Sequence, residues 1–145
     1  ETENIDDEDI VYRRVHRNFL RTHPNFPNLR EVPPNVFSEP SKSWSKKDLL
    51  DYDGYSVDWE NYSDPEDTLI RNNSDPNVNG VFQLKSKDIR EFSELDVIHN
   101  PIQEHEIFKD NRAHSLITGF NLKNKMLIRK KLSLKANWSI QGWNR

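Results

Sequence analysis

The chain has 145 residues, which is the length of one domain, and it carries 33% hydrophobic and 31% charged residues with a net charge of −3. It has no cysteine, which excludes disulfides, thiolate metal sites and thiol nucleophiles. No apolar run approaches the roughly 20 residues that cross a bilayer, and residues 1–9 hold six acids and no base, unlike a signal peptide. We therefore expect a soluble, cytoplasmic protein with an acidic, solvated tail at 1–9 and one domain at 10–145.

The first predicted element of the domain is a strand in "DIVYRRVH" (9–16), because its β-branched and aromatic residues suit a sheet. The segment 21–44 follows, with five prolines in 24 residues, and predicts irregular chain because proline lacks a backbone donor. It also holds Phe26, Phe37 and Trp44, so we expect a long loop that packs on the domain surface.

The middle of the chain alternates predicted strands with short helices. Strands are predicted in "YSVDWENY" (55–62), "GVFQL" (80–84), "LDVIHNP" (95–101) and "AHSLITG" (113–119). One helix is predicted to begin at Ser63 as the N-cap, with Glu66 completing a capping box and Pro65 in the first turn. Another short helix in "SKDIREFS" (86–93) is predicted to be capped by Ser86.

The last predicted helix spans 121–138, with an apolar stripe through Leu122, Met126, Ile128 or Arg129, and Leu132, and a closing strand is predicted in "WSIQGW". The order of elements predicts the α+β class. We expect a single small domain with a mixed or antiparallel sheet, one or two packed helices and the long proline-rich surface loop.

The last helix also collects positive charge, since 121–138 holds six bases and no acid. These side chains either form the hydrated face of an amphipathic helix or contact nucleic acid or a nucleotide. Under the second interpretation the contacts are Lys123, Lys125, Arg129, Lys130 and Lys131.

Three of the five histidines lie between 97 and 119. We assign no metal ligand there, because the stretch lacks HExxH and any i, i+4 histidine pair. His99 ends one predicted strand and His114 begins the next, so the two are expected to face each other across a hairpin. With Arg13 and His16 beside them, such a group would cleave RNA without metal: one histidine takes the 2′-hydroxyl proton, the other protonates the leaving group, and the cation stabilises the phosphorane.

Two pieces, "VYRRVH" and "YSVD", resemble the opening blocks of ADP-ribosyltransferase-like domains. That resemblance implies that Arg13 or Arg14, together with Ser56, holds a nicotinamide dinucleotide. It also implies a late catalytic acid, for which Glu104 and Glu106 are the candidates.

A longer set of blocks, "VYRRVH", "YSVDWENYSDPEDTL", "DIREF…DVIHNP" and "DNRAHSLITG", resembles a family of small bacterial proteins over most of residues 10–138. No activity attaches to that family, so the resemblance implies only a bacterial, soluble, stand-alone domain. It groups the polar residues of the blocks near strand ends, where sites tend to cluster. These residues are Arg13, Arg14, His16, Ser56, Asp58, His99, Asn111 and His114.

Two classes of function follow. The first is an interaction module, a small subunit of a bacterial multiprotein system, that contacts protein partners through 23–44 or the last helix. The second is a small enzyme acting on nucleotides or RNA, either ADP-ribosyltransferase-like or a ribonuclease-like toxin. Its predicted catalytic residues are Arg13, His16, His99 and His114, its ligand-binding residues are Arg14, Ser56 and Asp58, and its cofactor is unassigned. The absence of a strong catalytic signature favours the first class, and any one of these residues can instead be structural.

Overall fold

The computed structural model describes residues 2–37, 54–119 and 125–144. The strands are β1 (Ile10–His16), β2 (Tyr55–Trp59), β3 (Asn79–Lys85), β4 (Asp96–His99), β5 (His114–Thr118) and β6 (Asn137–Gln141); the helices in the described ranges are α1 (Pro65–Ile70), α2 (Ser86–Arg90) and α3 (Lys125–Lys135). The strands form one six-stranded sheet in the order β4-β5-β2-β1-β3-β6, and every pair is antiparallel. The chain is thus a single α+β domain, as predicted, with an antiparallel sheet.

The two faces of the sheet are covered unequally. Because side chains alternate along a strand, Val11 and Val15 of β1 face a large core that includes Phe82 and Leu132. Tyr12 faces the other way and meets only a small cluster with Leu69 of α1 and Val81. We call these the main face and the second face. On the second face, α1 packs against β1, β3 and β6, and the cleft described below lies over β1, β2 and β5.

The first helix begins one residue later than predicted. Asp64 is the N-cap, since its carboxylate accepts from the Asp67 amide at 2.8 Å, while the Asp67 carboxylate accepts from the Asp64 amide at 3.2 Å. The Ser63 hydroxyl lies 2.9 Å from that of Thr68 and accepts from Arg71 at 2.9 Å. Ser63 is therefore not the N-cap, because its hydroxyl is hydrogen-bonded to the side chains of Thr68 and Arg71.

The other two helix predictions are corrected in a similar way. Ser86 is the first residue of α2 rather than its cap, and its buried hydroxyl has no partner among the described residues. On α3 the buried side chains are Ile128 and Leu132, whereas Met126 is 69% exposed and Leu122 lies outside the described residues. No helix in the described ranges has the length and apolar character needed to cross a membrane.

The proline-rich segment supplies core residues as far as it is described. Leu29, Val32 and Phe37 are buried in the main core, with Phe37 only 2% exposed. The Trp143 indole holds the segment by donating to the Pro27 carbonyl at 3.2 Å. Trp44 lies outside the described residues. Phe37 is thus a core residue and does not present a contact surface to a partner.

The acidic segment at the start of the chain contacts the domain through Ile5 and its main chain, while Glu3, Asp6, Asp7 and Glu8 are exposed. Ile5 is 5% exposed and belongs to the main core. The amides of Ser86 and Lys87 donate to the carbonyls of Asp9 and Asp7, each at 2.8 Å. Residues 5–9 therefore help to position α2 against the sheet.

Candidate functional site

A cleft of about 270 Å³ lies on the second face of the sheet. Its floor comes from β1, β2 and β5, one wall from α1 with the following 3₁₀ turn Arg71–Asn73, and the other wall from the segment 100–113 that joins β4 to β5. The lining residues are Tyr12, Arg13, Arg14, Ser56, Val57, Asp58, Thr68, Arg71, Asn72, Ile102, Phe108, Lys109, Asn111 and His114.

Arg13 and Arg14 both reach the cleft although they are consecutive on β1. The β1–β2 ladder contains the pairs Val11↔Trp59 and Tyr12↔Asp58. The main-chain ladder ends at the second pair. Beyond it the Arg13 side chain bridges the two strands, since its Nη1 donates to the Ser56 carbonyl at 2.7 Å. Arg13 is also stacked over the Tyr55 ring at 3.9 Å from its centroid.

Arg14 points to the second face and binds the end of α1. Its Nη1 donates to the Arg71 carbonyl at 2.7 Å and to the Thr68 carbonyl at 3.4 Å. Such contacts suit the carbonyl-rich end of a helix. Burial lowers the pKa of Arg14, Asp58 raises it, and Arg13 and Arg71 lower it further. The group stays cationic at neutral pH, as arginine does in proteins.

Both guanidinium groups keep donors that no described residue uses. Each donates through Nη1 only, so Nε and Nη2 of Arg13 and Arg14 make no hydrogen bond to a described residue. Neither is within ion-pair distance of a carboxylate in the described ranges. These are forked, charged donors on the lining of a cleft, and carboxylate or phosphate oxygens are the groups that match them.

Asp58 is buried beneath the cleft, and both of its carboxylate oxygens are hydrogen-bonded within the protein. Its Oδ2 accepts from Thr68 Oγ1 at 2.8 Å and from Arg71 Nε at 3.0 Å, while Oδ1 accepts from Asn111 Nδ2 at 2.9 Å. The carboxylate therefore ties both walls to the floor. Among the described residues it is also the only carboxylate that lines the cleft, against four cationic side chains, Arg13, Arg14, Arg71 and Lys109.

Ser56 and His114 form a hydrogen-bonded pair in the floor. His114 Nε2 lies 3.0 Å from Ser56 Oγ, and His114 Nδ1 lies 2.7 Å from the Asn100 carbonyl oxygen. A carbonyl only accepts, so Nδ1 carries a proton, and when the ring is neutral Nε2 accepts from the serine hydroxyl. This is the relation of nucleophile, base and orienting group found in hydroxyl-based catalysis.

The expected pair of His99 and His114 across a hairpin is not formed. In the β4–β5 ladder His99 is opposite Ser115, so His99 and His114 point to opposite faces of the sheet. On the main face His99 packs edge-on against Trp59 at 5.1 Å between centroids. Its Nδ1 accepts from the Glu3 amide at 3.0 Å, and its Nε2 donates to the Arg112 carbonyl at 2.7 Å.

The remaining sequence candidates lie away from the cleft. His16 Nδ1 accepts from the Asn18 amide at 3.0 Å, where it caps a 3₁₀ turn, and His16 is not among the lining residues. Glu104 and Glu106 are exposed on the segment 100–113 and do not line the cleft either. Asn111, grouped with the arginines by the sequence blocks, does line it.

The basic residues of the last helix are dispersed. Lys123 and the side chain of Lys125 lie outside the described residues. Arg129 points inward, with a buried Nε that has no partner among the described residues, while Lys130 and Lys131 are exposed. The described part of α3 therefore offers three exposed lysines, Lys130, Lys131 and Lys135, rather than a continuous basic strip.

Sequence reasoning missed Arg71 and Lys109, which supply two of the four positive charges. Neither lies in a pattern that a local rule recognises. The available signal was indirect: Asp58 sits in a strand between apolar neighbours, and a buried carboxylate needs a cationic partner. Within the described ranges no three histidine, aspartate or glutamate side chains are arranged to hold a metal ion.

Comparison with known proteins provides no template for this site. No family model matches the chain, and neither the curated proteins nor the solved structures include a significant match. The chemistry of the cleft itself is therefore the basis for a functional proposal.

Proposed function

We propose that this chain binds a phosphorylated ligand of the mononucleotide class in the cleft. The observation that carries the proposal is the set of unused guanidinium donors of Arg13 and Arg14 on the cleft lining. Guanidinium binds phosphate through parallel hydrogen bonds, and such charge-assisted bonds are about twice as strong as neutral ones.

Charge and shape both support this ligand class. The chain has a net charge of −3, yet the cleft gathers four cations and one neutralised carboxylate. A concave site lined by one sign of charge concentrates ligands of the other sign. Ile102 and Phe108 give the opposite wall an apolar surface that suits a base or sugar. The volume of about 270 Å³ is close to the lower end of ligand pockets, which favours a mononucleotide over a larger cofactor.

Replacing Arg14 by glutamine is expected to weaken AMP binding by about 10-fold to 100-fold, because a hydrogen bond to a charged group contributes roughly 1.5–3 kcal/mol. Titration calorimetry with AMP and with adenosine measures the effect. Arg17→Gln is the matched control, since Arg17 is exposed just beyond β1 and does not line the cleft. Equal affinity for AMP and adenosine, or an unchanged affinity in Arg14→Gln, would contradict the proposal.

A second candidate function is a protein contact through α3. Met126, Leu127 and Leu134 are 69%, 60% and 84% exposed on this helix. They alternate with the exposed Lys130 and Lys131 on one side of the helix. Clustered exposed apolar side chains are typical of interaction surfaces. The partner that fits is a protein with an apolar and acidic surface, as expected for a subunit of a multiprotein system.

The double variant Leu127→Glu and Leu134→Glu is expected to abolish recovery of such a partner in a pulldown from bacterial extract. Phe19→Ser is the control, because Phe19 is also exposed, at 53%, but lies on a different segment. A partner that is retained by the double variant, or lost equally with the control, would argue against α3 as the contact surface.

A further inference from the structure

The hydrogen-bonded pair in the cleft floor points to chemistry rather than binding alone. We propose that Ser56 is a nucleophile, activated by His114 as general base, that hydrolyses a phosphoester held in the cleft. The inference rests on the proposed function for its substrate, because the ligand proposed there is phosphorylated.

The geometry of His114 is that of a positioned base. Its Nε2 is 3.0 Å from Ser56 Oγ, within the range for proton transfer between hydrogen-bonded groups. Its Nδ1 lies 2.7 Å from the Asn100 carbonyl oxygen, which places the proton of a neutral ring on Nδ1 and makes Nε2 the acceptor for the Ser56 hydroxyl. The ring is 6% exposed, so its orientation is set by packing as well.

A comparison inside the same sheet separates this histidine from a structural one. His99 is also buried and also bonded through both ring nitrogens, but both of its partners are main-chain groups, of Glu3 and Arg112. His114 is bonded to a main-chain carbonyl, that of Asn100, through Nδ1. The other nitrogen faces a hydroxyl that lines the cleft, which is the arrangement a nucleophile needs.

The charge around Ser56 favours phosphorus as the centre of attack. Arg14 of β1 and Ser56 of the neighbouring strand β2 both line the cleft. The unused Nε and Nη2 donors of Arg14 are thus available to the non-bridging oxygens, on which charge is concentrated in phosphoryl transfer. Fixed cations of this kind are a major source of transition-state stabilisation.

The reaction proceeds in two balanced steps. In the first, Ser56 Oγ forms a bond to phosphorus, its proton moves to His114 Nε2, the ester P–O bond breaks, and the leaving oxygen takes that proton to become an alcohol. In the second, water attacks phosphorus and gives a proton to His114 Nε2. The Ser56–phosphorus bond then breaks, Ser56 Oγ recovers the proton, and inorganic phosphate is released.

The test uses diisopropyl fluorophosphate, a neutral probe that phosphorylates activated serines and releases fluoride. We expect an adduct on Ser56, located by peptide mass spectrometry, and none in Ser56→Ala. His114→Asn keeps a donor for the Asn100 carbonyl but removes the base, so it should label about 100-fold more slowly or less. His114→Gln is the second variant if Asn perturbs folding, which circular dichroism checks. Ser139→Ala is the control, since the Ser139 hydroxyl donates to Gln83 and has no histidine partner among the described residues.

The outcomes distinguish this inference from the binding proposal. If AMP binds but folded wild-type protein forms no adduct on Ser56, the nucleophile is refuted and the binding proposal stands. If both folded His114 variants label at the wild-type rate, the role of His114 is refuted. If Ser56 labels but AMP and inorganic phosphate do not bind, the phosphoester substrate is refuted together with the binding proposal.

Discussion

Asp58→Ala is expected to lower the free energy of unfolding by about 3–5 kcal/mol, the usual cost of removing one partner of a buried ion pair. The Asp58 side chain is 10% exposed and lies 3.0 Å from Arg71 Nε. Its loss leaves the guanidinium without its carboxylate and removes the acceptor for Thr68 and Asn111. Both walls of the cleft should then loosen together, so AMP binding should fall with stability.

Urea unfolding at neutral pH measures this effect. Asp110→Ala is the matched control, because Asp110 is exposed and accepts only from the Glu104 amide, at 3.0 Å, among the hydrogen bonds described. Adding Arg71→Leu to Asp58→Ala should restore part of the stability, since the unpaired charge is then absent. A decrease of less than about 1 kcal/mol in the free energy of unfolding of Asp58→Ala would show that the carboxylate does not hold the two walls of the cleft to its floor.

His99→Ala is expected to destabilise the protein by about 2–5 kcal/mol, the range for truncating a large buried side chain. His99 is 3% exposed and packs against Trp59 and Tyr62 on the main face. Its removal also leaves the Glu3 amide and the Arg112 carbonyl without a partner. Because this site is on the face opposite the cleft, AMP affinity and Ser56 labelling of the folded fraction should be unchanged.

Thermal unfolding monitored by circular dichroism gives the stability, and calorimetry on the same sample gives the affinity. His105→Ala serves as a comparison, since His105 is a less buried histidine of the segment 100–113. Loss of Ser56 labelling in folded His99→Ala would contradict the claim that His99, on the main face, takes no part in the chemistry of the cleft.

Local patterns were sufficient for the strands. Alternating or β-branched stretches predicted all six strands and the α+β class, because an amphipathic strand must present one side to a core whatever its neighbours are. Local patterns predicted the first residues of the helices less accurately. Ser63 and Asp64 are both good cap residues by type. The choice between them depends on tertiary contacts, because the Ser63 hydroxyl is bonded to Thr68 and Arg71 instead of the helix end.

The candidate site was predicted in part. Arg13, Arg14, Ser56, Asp58, Asn111 and His114 were all singled out from sequence blocks, and they line one cleft. His16 and His99 were grouped with them and lie elsewhere. A short motif indicates that a residue is polar and near a strand end, but does not indicate the face to which it points.

The sequence by itself therefore determined the elements, their approximate bounds and the pool of polar residues from which a site is drawn. Only the tertiary structure decided the pairing register, and one residue of register moves a side chain to the other face of a sheet. That is why His99, opposite Ser115, lies in the main core, and why His114, opposite Asp58, reaches Ser56. It also decided that Arg71 and Lys109, distant in the chain, complete the positive charge of the cleft, because their approach depends on packing between segments rather than on any local pattern.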